Sequence, residues 1–299
     1  MLLLVSNATK EAEDVMSFEL RSETGEPLPS YAPGAYVTVM LPLTGDVLEG
    51  RSYSLISDPA DLSAYRIAVQ REINGRGGST YMWSHVSEGS RMELAGPSSG
   101  FLLDPDAAHS ILIAGGIGIT PILSFLRDLS TRNSSFELDY SCRTASRMAF
   151  RSAIEGLADG RVDFYESESG AHLQLGQILA KAQEGSHVYV CGPNRLINAV
   201  IESASELGWS SGQVHFESFG PRWEPGDQPL HVELTQSGIQ LEVPVGQTIL
   251  AAVEAAGVWA PFECRRGECA YCVTGVVEGE VVHRDHCLKP EEQAKSMCI

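Results

Sequence analysis

Positive charge is scarce in this chain. Its 299 residues include 21 Lys and Arg against 39 Asp and Glu, a formal net charge of -18. So acidic a chain repels phosphate backbones and anionic lipid surfaces, which argues against nucleic acid and membranes as partners. A phosphate-bearing ligand must then be held locally, by backbone amides or a few placed arginines. Long apolar runs are also missing. The most apolar stretch, residues 111–126, is interrupted by Gly115, Gly116, Gly118, Thr120 and Pro121, so nothing reaches the length of a spanning helix. No basic segment precedes the short apolar run at the N-terminus, which speaks against an export signal and for the cytoplasm. There is no internal repeat and no low-complexity tract. With 43% apolar and 20% charged residues the chain can build packed cores, and its length suggests two or three domains.

Three textures follow one another. Up to about residue 100, short alternating runs such as Tyr36 to Met40 and Tyr65 to Gln70 are separated by turn residues, the pattern of antiparallel strands in a sandwich or barrel. From about residue 106 the segments SILIAGG, FELDYS, VDFYES, HVYVCG and QVHFES read as strands. Helical stretches lie between several of them: TPILSFLRDL, with Thr120 as cap and Pro121 at its first position, Gln174 to Ala182, and Asn194 to Leu207. Alternating strand and helix implies a mostly parallel sheet. Residues 220–229, GPRWEPGDQP, read as an interdomain linker. Beyond it HVELTQ and IQLEVPV flank Ser237-Gly238 as a hairpin, and GQTILAAVEAAG reads as a helix ending at Gly257.

Cysteine carries the most specific signal. The chain has seven, an odd number, and without an export signal their close spacing points to metal ligation rather than disulfides. Cys264-x4-Cys269-x2-Cys272 forms three-quarters of the plant-type ferredoxin pattern, in which a tight loop supplies three thiolates and a distant segment the fourth. Gly267 lets the backbone wrap closely around inorganic sulfide. By count alone Cys287 or Cys298 can be the fourth ligand. A zinc site, or plain buried thiols, is the competing reading.

ILIAGGIGITP is a strand, a glycine turn and a helix start, where backbone amides suit a pyrophosphate. It departs from the usual dinucleotide fingerprint, because Gly116 and Gly118 fit G-x-G but Pro121 stands in the third glycine's place. A purely structural turn is the alternative. Arg143 in YSCRT and Cys191 and Pro193 in VYVCGP close two further strands, and ligands gather at the carboxyl ends of strands in open sheets. Cys191 reads equally as an inert core thiol. In RSYSL, alternation puts Arg51, Tyr53 and Leu55 on one side of a strand and Ser52 and Ser54 on the other. GRGGST, residues 75–80, is a turn whose amides and hydroxyls can form an anion nest, or simply a solvated hairpin.

Together these motifs resemble the phthalate dioxygenase reductase family (class IA Rieske oxygenase reductases). This family lies within the ferredoxin-NADP reductase superfamily and carries a C-terminal plant-type ferredoxin. The resemblance runs over nearly the whole chain, in a distinctive order: RSYSL and residues 67–79 for flavin, GGIGITP and CGP for pyridine nucleotide, CRRGECAYC for the cluster. It implies a multidomain protein: an FMN-binding antiparallel β-barrel over residues 1–102, an NAD-binding α/β domain over 106–221 and a β-grasp [2Fe-2S] ferredoxin domain over 228–299. It implies FMN contacts from Arg51, Tyr53, Ser54 and Leu55, and phosphate contacts from Gly77, Gly78 and Ser79. NADH is expected near Gly116, Thr120, Arg143, Cys191 and Pro193. Phe219 is expected at the flavin face, and cluster ligation from Cys264, Cys269 and Cys272.

HRDHCL, residues 283–288, resembles a family segment in which the place of Cys287 is not a ligand. The family's fourth cysteine falls two residues after the place of Cys298, just past Ile299, so the expectation is a chain that stops one residue short of it. Cys298, after a local shift, is the alternative. Arg71 stands where relatives often carry lysine. The implied activity is that of an NADH-dependent reductase feeding a separate terminal oxygenase of the Rieske type, as a monomer, with no catalytic side chain because the cofactors carry the chemistry. A reductase serving another acceptor, or a zinc-stabilised or redox-sensing binding module, are the competing functions.

Overall fold

Six strands dominate the first hundred residues: β1 (Leu2–Ala12), β2 (Val15–Arg21), β3 (Tyr36–Thr44), β4 (Val47–Ser54), β5 (Tyr65–Gln70) and β6 (Arg91–Ser98). They pair in the order β4-β3-β6-β1-β2-β5, antiparallel throughout. An antiparallel bridge between Leu55 and Ile67 closes the two ends of that order on each other. Period-2 alternation turns Val5, Phe18, Leu20, Val37, Val39, Leu41, Leu55, Ile67 and Leu94 inward, forming the expected antiparallel barrel core. The computed structural model describes residues 1–299 apart from 45–46, 74, 158–159, 221–225, 263–266, 268–269 and 286.

One element was not legible in the sequence. Between β5 and β6 lies helix α1 (Gly78–His85), where a turn was expected. Two glycines and few strong helix formers hide it from propensity. Packing forms it instead: Met82 is buried, and the Trp83 indole N–H donates to the Val69 carbonyl at 3.1 Å.

The second sheet is parallel, as the alternating texture implied. Strands β7 (His109–Gly115), β8 (Phe136–Cys142), β9 (Arg161–Glu166), β10 (Ser186–Cys191) and β11 (Val214–Glu217) lie in the order β11-β10-β7-β8-β9. Four helices cross over: α2 (Ile119–Thr131), α3 (Arg151–Leu157), α4 (Leu175–Ala180) and α5 (Asn194–Glu206). The continuous apolar run of β7 reflects burial on both faces. Leu112 and Ala114 pack with α2 and α3 residues such as Leu123 and Ile154, while Ile111 and Ile113 pack with Ile178, Ile197 and Val200 of α4 and α5.

Helix α2 starts two residues earlier than expected, at Ile119 rather than Pro121. Gly118 holds the cap position with no side-chain cap. The Thr120 hydroxyl donates to the Ile117 carbonyl at 3.0 Å instead, so Thr120 is not the cap.

Both sheets belong to one compact unit, Met1–Glu217; the second unit is Ser218–Ile299. Within the first, Val15, Ile56, Ala68 and Phe101 join the same buried cluster as α2 and Tyr189. The Phe125 ring centroid lies 4.9 Å from that of Phe101 and 5.6 Å from that of Tyr189. Gly34, at φ 82°, passes so close that a Cβ would sit 2.7 Å from Phe125 and still nearer the Phe101 carbonyl.

The second unit has the hairpin β12 (Leu230–Leu234) and β13 (Ile239–Val243), helix α6 (Ile249–Ala255), then β14 (Val273–Gly275), α7 (Pro290–Gln293) and β15 (Ser296–Cys298), with β14 and β15 antiparallel. The hairpin loop is four residues rather than the Ser237-Gly238 pair alone, because pairing stops at Leu234–Ile239 and the Gly238 amide donates back to the Leu234 carbonyl. Thr248 caps α6 by accepting from the Ala251 amide at 3.1 Å, and Gly257 at φ 73° ends it as expected. Of the expected linker, residues 221–225 lie outside the described residues. No helix among the described residues is long and apolar enough to cross a membrane.

The Gly34 contact makes a measurable demand. Gly34→Ala combines a left-handed φ with overpacking and should cost at least about 2 kcal/mol in urea unfolding of the first unit. Gly25, at φ 76° with nothing within 4 Å, isolates the backbone contribution: Gly25→Ala should cost about 1 kcal/mol. Equal losses in the two variants would contradict the close packing at Gly34.

Candidate functional site: a flavin cradle, a nucleotide crevice and a cysteine loop

The first site forms where β4 meets α1. Strand β4 is an edge strand whose register sets Arg51 opposite Val39 and Tyr53 opposite Val37. The Arg51 guanidinium reaches across to the loop before α1. Its Nη2 donates to the Arg76 carbonyl at 3.0 Å and to Glu49 Oε2 at 2.9 Å, and Nη1 donates to the Gly50 carbonyl at 2.9 Å. The arginine stem runs along the start of the helix, so that a Cβ on Gly78 would meet Arg51 Cγ at 2.7 Å. Gly77 takes the left-handed conformation, at φ 82°, and α1 has neither a side-chain cap nor an acidic residue in its first turn. The Ser79 hydroxyl accepts from the Glu72 amide at 3.0 Å, closing the loop on itself. An uncapped helix N-terminus beside a tethered guanidinium is chemically an anion site.

Tyr53 is half-buried against the barrel, and burial pushes its phenol up to about 12, so it stays neutral at physiological pH. Ser54, expected on the opposite side, is itself buried, as is Leu55; the strand ends at Ser54 and the alternation ends with it.

The second site lies at the carboxyl ends of β7 and β10. The chain leaves β7 toward β8 on one side, while β10 lies on the other, making a topological switch point between them. Gly118 presses onto the end of β10: a Cβ there would clash with the Cys191 carbonyl and sit 2.7 Å from the Gly192 amide nitrogen. Gly116 has φ 55° and leads into the first turn of α2. Pro193 holds the cap position of α5. Arg143, after β8, is exposed and forms no ion pair among the described residues. The Cys191 thiol is fully buried in the core, so this residue borders the crevice through its backbone. Gly116, Thr120, Cys191 and Pro193 thus gather on adjacent strand ends, and Arg143 flanks them one strand further on.

The third site is the cysteine loop of the second unit. Cys264 and Cys269 lie outside the described residues; Cys272 is buried just before β14. Gly267 at φ 75° and Ala270 at φ 62° take left-handed conformations. A side chain at Gly267 would meet Asp285 Cα at 3.0 Å. Asp285, 4% exposed, is a hub that sequence reasoning missed: its carboxylate accepts from the Leu288 amide at 3.1 Å and lies 3.2 Å from His283 Nδ1. His283 Nε2 lies 3.0 Å from the Gln293 carbonyl, and Arg284 forms a two-pronged pair with Asp227, one arm at 2.8 Å. HRDHCL therefore buttresses the loop. The signal was present in the matched triplet, but a role in holding backbone cannot be read from spacing.

Register sets Cys298 opposite Val273, and its Sγ lies 3.2 Å from Cys287 Sγ. Burial pushes both thiols up, and Cys287 beside Cys298 pushes the latter further, so without a metal both are protonated near neutrality. Phe219 belongs to the second unit and is 44% exposed.

The donor chemistry fits the implied groups: a phosphate cradle that a Cβ would fill, a glycine-lined crevice at a switch point, and the soft thiol donor Cys272 after two left-handed residues, with Cys298 paired across from the next residue. The fold and sites define an iron-sulfur flavoprotein reductase.

Comparison with known proteins agrees. Residues 97–214 match the family model described as dimethylamine monooxygenase subunit DmmA-like, N-terminal domain, and residues 232–298 match the 2Fe-2S iron-sulfur cluster binding domain. The chain is 42% identical over 283 residues to the heme-dependent oxidative N-demethylase beta subunit of Ectopseudomonas mendocina, covering 94% of this chain and 88% of the relative. It is 36% identical over 303 residues to phthalate dioxygenase reductase of Burkholderia cepacia, covering 99% and 92%. A solved phthalate dioxygenase reductase, described as a modular structure for electron transfer from pyridine nucleotides to [2Fe-2S], superposes with a TM-score of 0.77 at 35% identity, over 100% of this chain and 94% of that one. The chain belongs to the phthalate dioxygenase reductase family, whose members pass electrons from pyridine nucleotide to a [2Fe-2S] centre.

The Asp285 hub is open to test. Asp285→Ala leaves the Leu288 amide and His283 without their acceptor, at a cost of about 1–3 kcal/mol to the second unit. Iron retained after gel filtration should fall at least several-fold while flavin content stays at the wild-type level. Unchanged iron would show that HRDHCL does not support the loop.

Proposed function

We propose that this chain is the NADH-dependent reductase component of a Rieske-type terminal oxygenase, carrying electrons from NADH through FMN to a [2Fe-2S] cluster and on to the oxygenase. The observation that carries this reading is the Arg51 side chain laid across Gly78 at the uncapped start of α1. FMN ends in a single phosphate monoester, a compact dianion, and one guanidinium with one set of first-turn amides suits that charge. The flavin, when bound, converts the two-electron chemistry of a nicotinamide into the one-electron chemistry of the cluster.

The chain's own residues have positioning roles. Arg51 holds the phosphate end, with Gly77, Gly78 and the Ser79 amide lining it. Tyr53 and Ser54 at the end of β4, with Leu55 just after it, lie beside the ring, and Tyr53 offers a neutral phenol rather than a charge. Gly116, Thr120 and Pro193 border the nucleotide crevice, with Cys191 contributing backbone and Arg143 a positive charge for a phosphate. In the second unit Cys264, Cys269 and Cys272 ligate the cluster, and Cys298 is the described thiol whose strand pairing brings it beside Cys272. No side chain acts as acid or base on an organic substrate. The chain has three expected functional segments, 1–102 for FMN, 106–221 for NADH and 228–299 for the cluster, and works as a soluble monomer in the cytoplasm.

A second acceptor class has a specific argument behind it. The relative at 42% identity is the beta subunit of a heme-dependent oxidative N-demethylase. A haem-containing terminal component is therefore the competing partner, served by the same internal route.

Anaerobic titration of the purified protein with NADH, read by visible absorption and low-temperature EPR, tests the relay. Flavin bleaching followed by a rhombic [2Fe-2S] signal is expected; bleaching with no cluster signal would overturn the complete relay for this chain. Arg51→Ala should lower flavin retention at least tenfold, in line with the loss of a charge-assisted contact worth about 1.5–3 kcal/mol. Full flavin occupancy in that variant would remove Arg51 from the site. Comparing reduction rates of a Rieske and a haem oxygenase component separates the two partners.

A further inference from the structure

A cluster of three metal-type ligands lies in the first unit, away from the flavin cradle and the nucleotide crevice. His187 and Tyr189 occupy one face of β10, two residues apart, and register sets His215 of β11 directly opposite Tyr189. The three rings form a stack, with the His187 and His215 centroids 5.2 Å apart at 13° and Tyr189 and His215 4.6 Å apart at 9°. Asp104, in the segment between β6 and β7, is fixed over this face because its amide donates to the Tyr189 hydroxyl at 2.9 Å. His187 Nδ1 then lies 2.9 Å from His215 Nε2 and 3.7 Å from Asp104 Oδ2. One ligand atom from each of the three residues falls within 4.8 Å of the others.

The geometry points to a divalent-cation site made by Asp104, His187 and His215, with zinc the ion it suits best. Two imidazoles and one carboxylate, with a fourth position open, match zinc's preferences in both donor type and number. Tetrahedral bonds of about 2.0–2.1 Å place neighbouring donors about 3.3 Å apart. Two of the three separations, 2.9 and 3.7 Å, bracket that value, and the third lies within 4.8 Å, so a modest side-chain adjustment of the part-exposed Asp104 completes the site. Binding exchanges the His187–His215 hydrogen bond for two metal bonds, and the ring that donated that bond moves its proton to its other nitrogen. The Asp104 side chain is 34% exposed, which gives the ion a route in and leaves room for a water ligand.

Position along the strands keeps this site apart from the reductase chemistry. His187 precedes Cys191 by four residues, about 13 Å of extended chain, so the site lies toward the other end of β10 from the crevice. Its effect is to clip the 99–108 segment, which joins the barrel to the parallel sheet, onto β10 and the edge strand β11. The site stands independently of which oxygenase the chain serves.

Equilibrium dialysis of the intact holoprotein against Zn2+, with metal analysis and zinc-edge X-ray absorption, tests the inference; iron and flavin contents are followed to exclude loss of the cofactors. Wild type should bind one zinc equivalent more than the double variant His187→Gln/His215→Gln, with a first shell of nitrogen and oxygen near 2.0 Å. Asp104→Asn, a change at a part-exposed side chain, should weaken that equivalent at least tenfold, the scale on which even outer-shell partners act. It decides the matter alone if the double variant does not fold. Equal zinc in wild type and variants, or only a sulfur shell near 2.3 Å, overturns the site.

Discussion

The packing of Phe125 between Phe101 and Tyr189 is the contact on which the first unit depends. Phe101 follows the last barrel strand, Phe125 is on α2, and Tyr189 is on β10. Their rings make one buried cluster with Val15, Ile56 and Ala68 of the barrel. Two sheets of different type thereby share a core. The candidate flavin cradle on β4 and α1 and the candidate nucleotide crevice after β7 and β10 are consequently parts of one compact unit. Such a core has little tolerance, and Gly34 lies against it at a distance that leaves no room for a methyl group.

A second constraint operates at the crevice. The loop after β7 lies against the end of β10 so closely that Gly118 and the Cys191 carbonyl are in van der Waals contact. That closeness makes the crevice from backbone rather than side chains, which suits a ligand carrying phosphates in a chain of net charge -18. The flavin cradle follows the same logic with one arginine added. In both places positive potential comes from amides and single guanidinium groups, and the overall acidity is left for the surface. An acidic surface can in turn steer a reductase toward a basic patch on its partner.

In the second unit the constraint is a carboxylate. Asp285 lies under Gly267 and holds the Leu288 amide and His283, so the cysteine loop rests on a polar scaffold instead of a large apolar core. Small domains with modest cores commonly rely on metal ligation for the remainder of their stability.

Much of this was legible before any fold was known, where chemistry depends on spacing. Period-2 alternation marked the barrel strands, the unbroken apolar run marked β7, and Cys264-x4-Cys269-x2-Cys272 marked the cluster loop. Other features depend on residues far apart in the chain. Helix α1 forms because Met82 and Trp83 find partners in the barrel, against weak local propensity. Thr120 bonds back to Ile117 rather than capping α2, because the glycine turn already supplies the cap residue, Gly118. Asp285 became a hub only when Gly267, His283 and Leu288 were brought around it, and Asp104, His187 and His215 converged only when β10 and β11 paired in one register with the segment before β7 folded over them. Local order and ligand spacing are properties of consecutive residues and are written in the sequence. Which side chains meet across a sheet is settled by register and burial, and these exist only once the chain has packed.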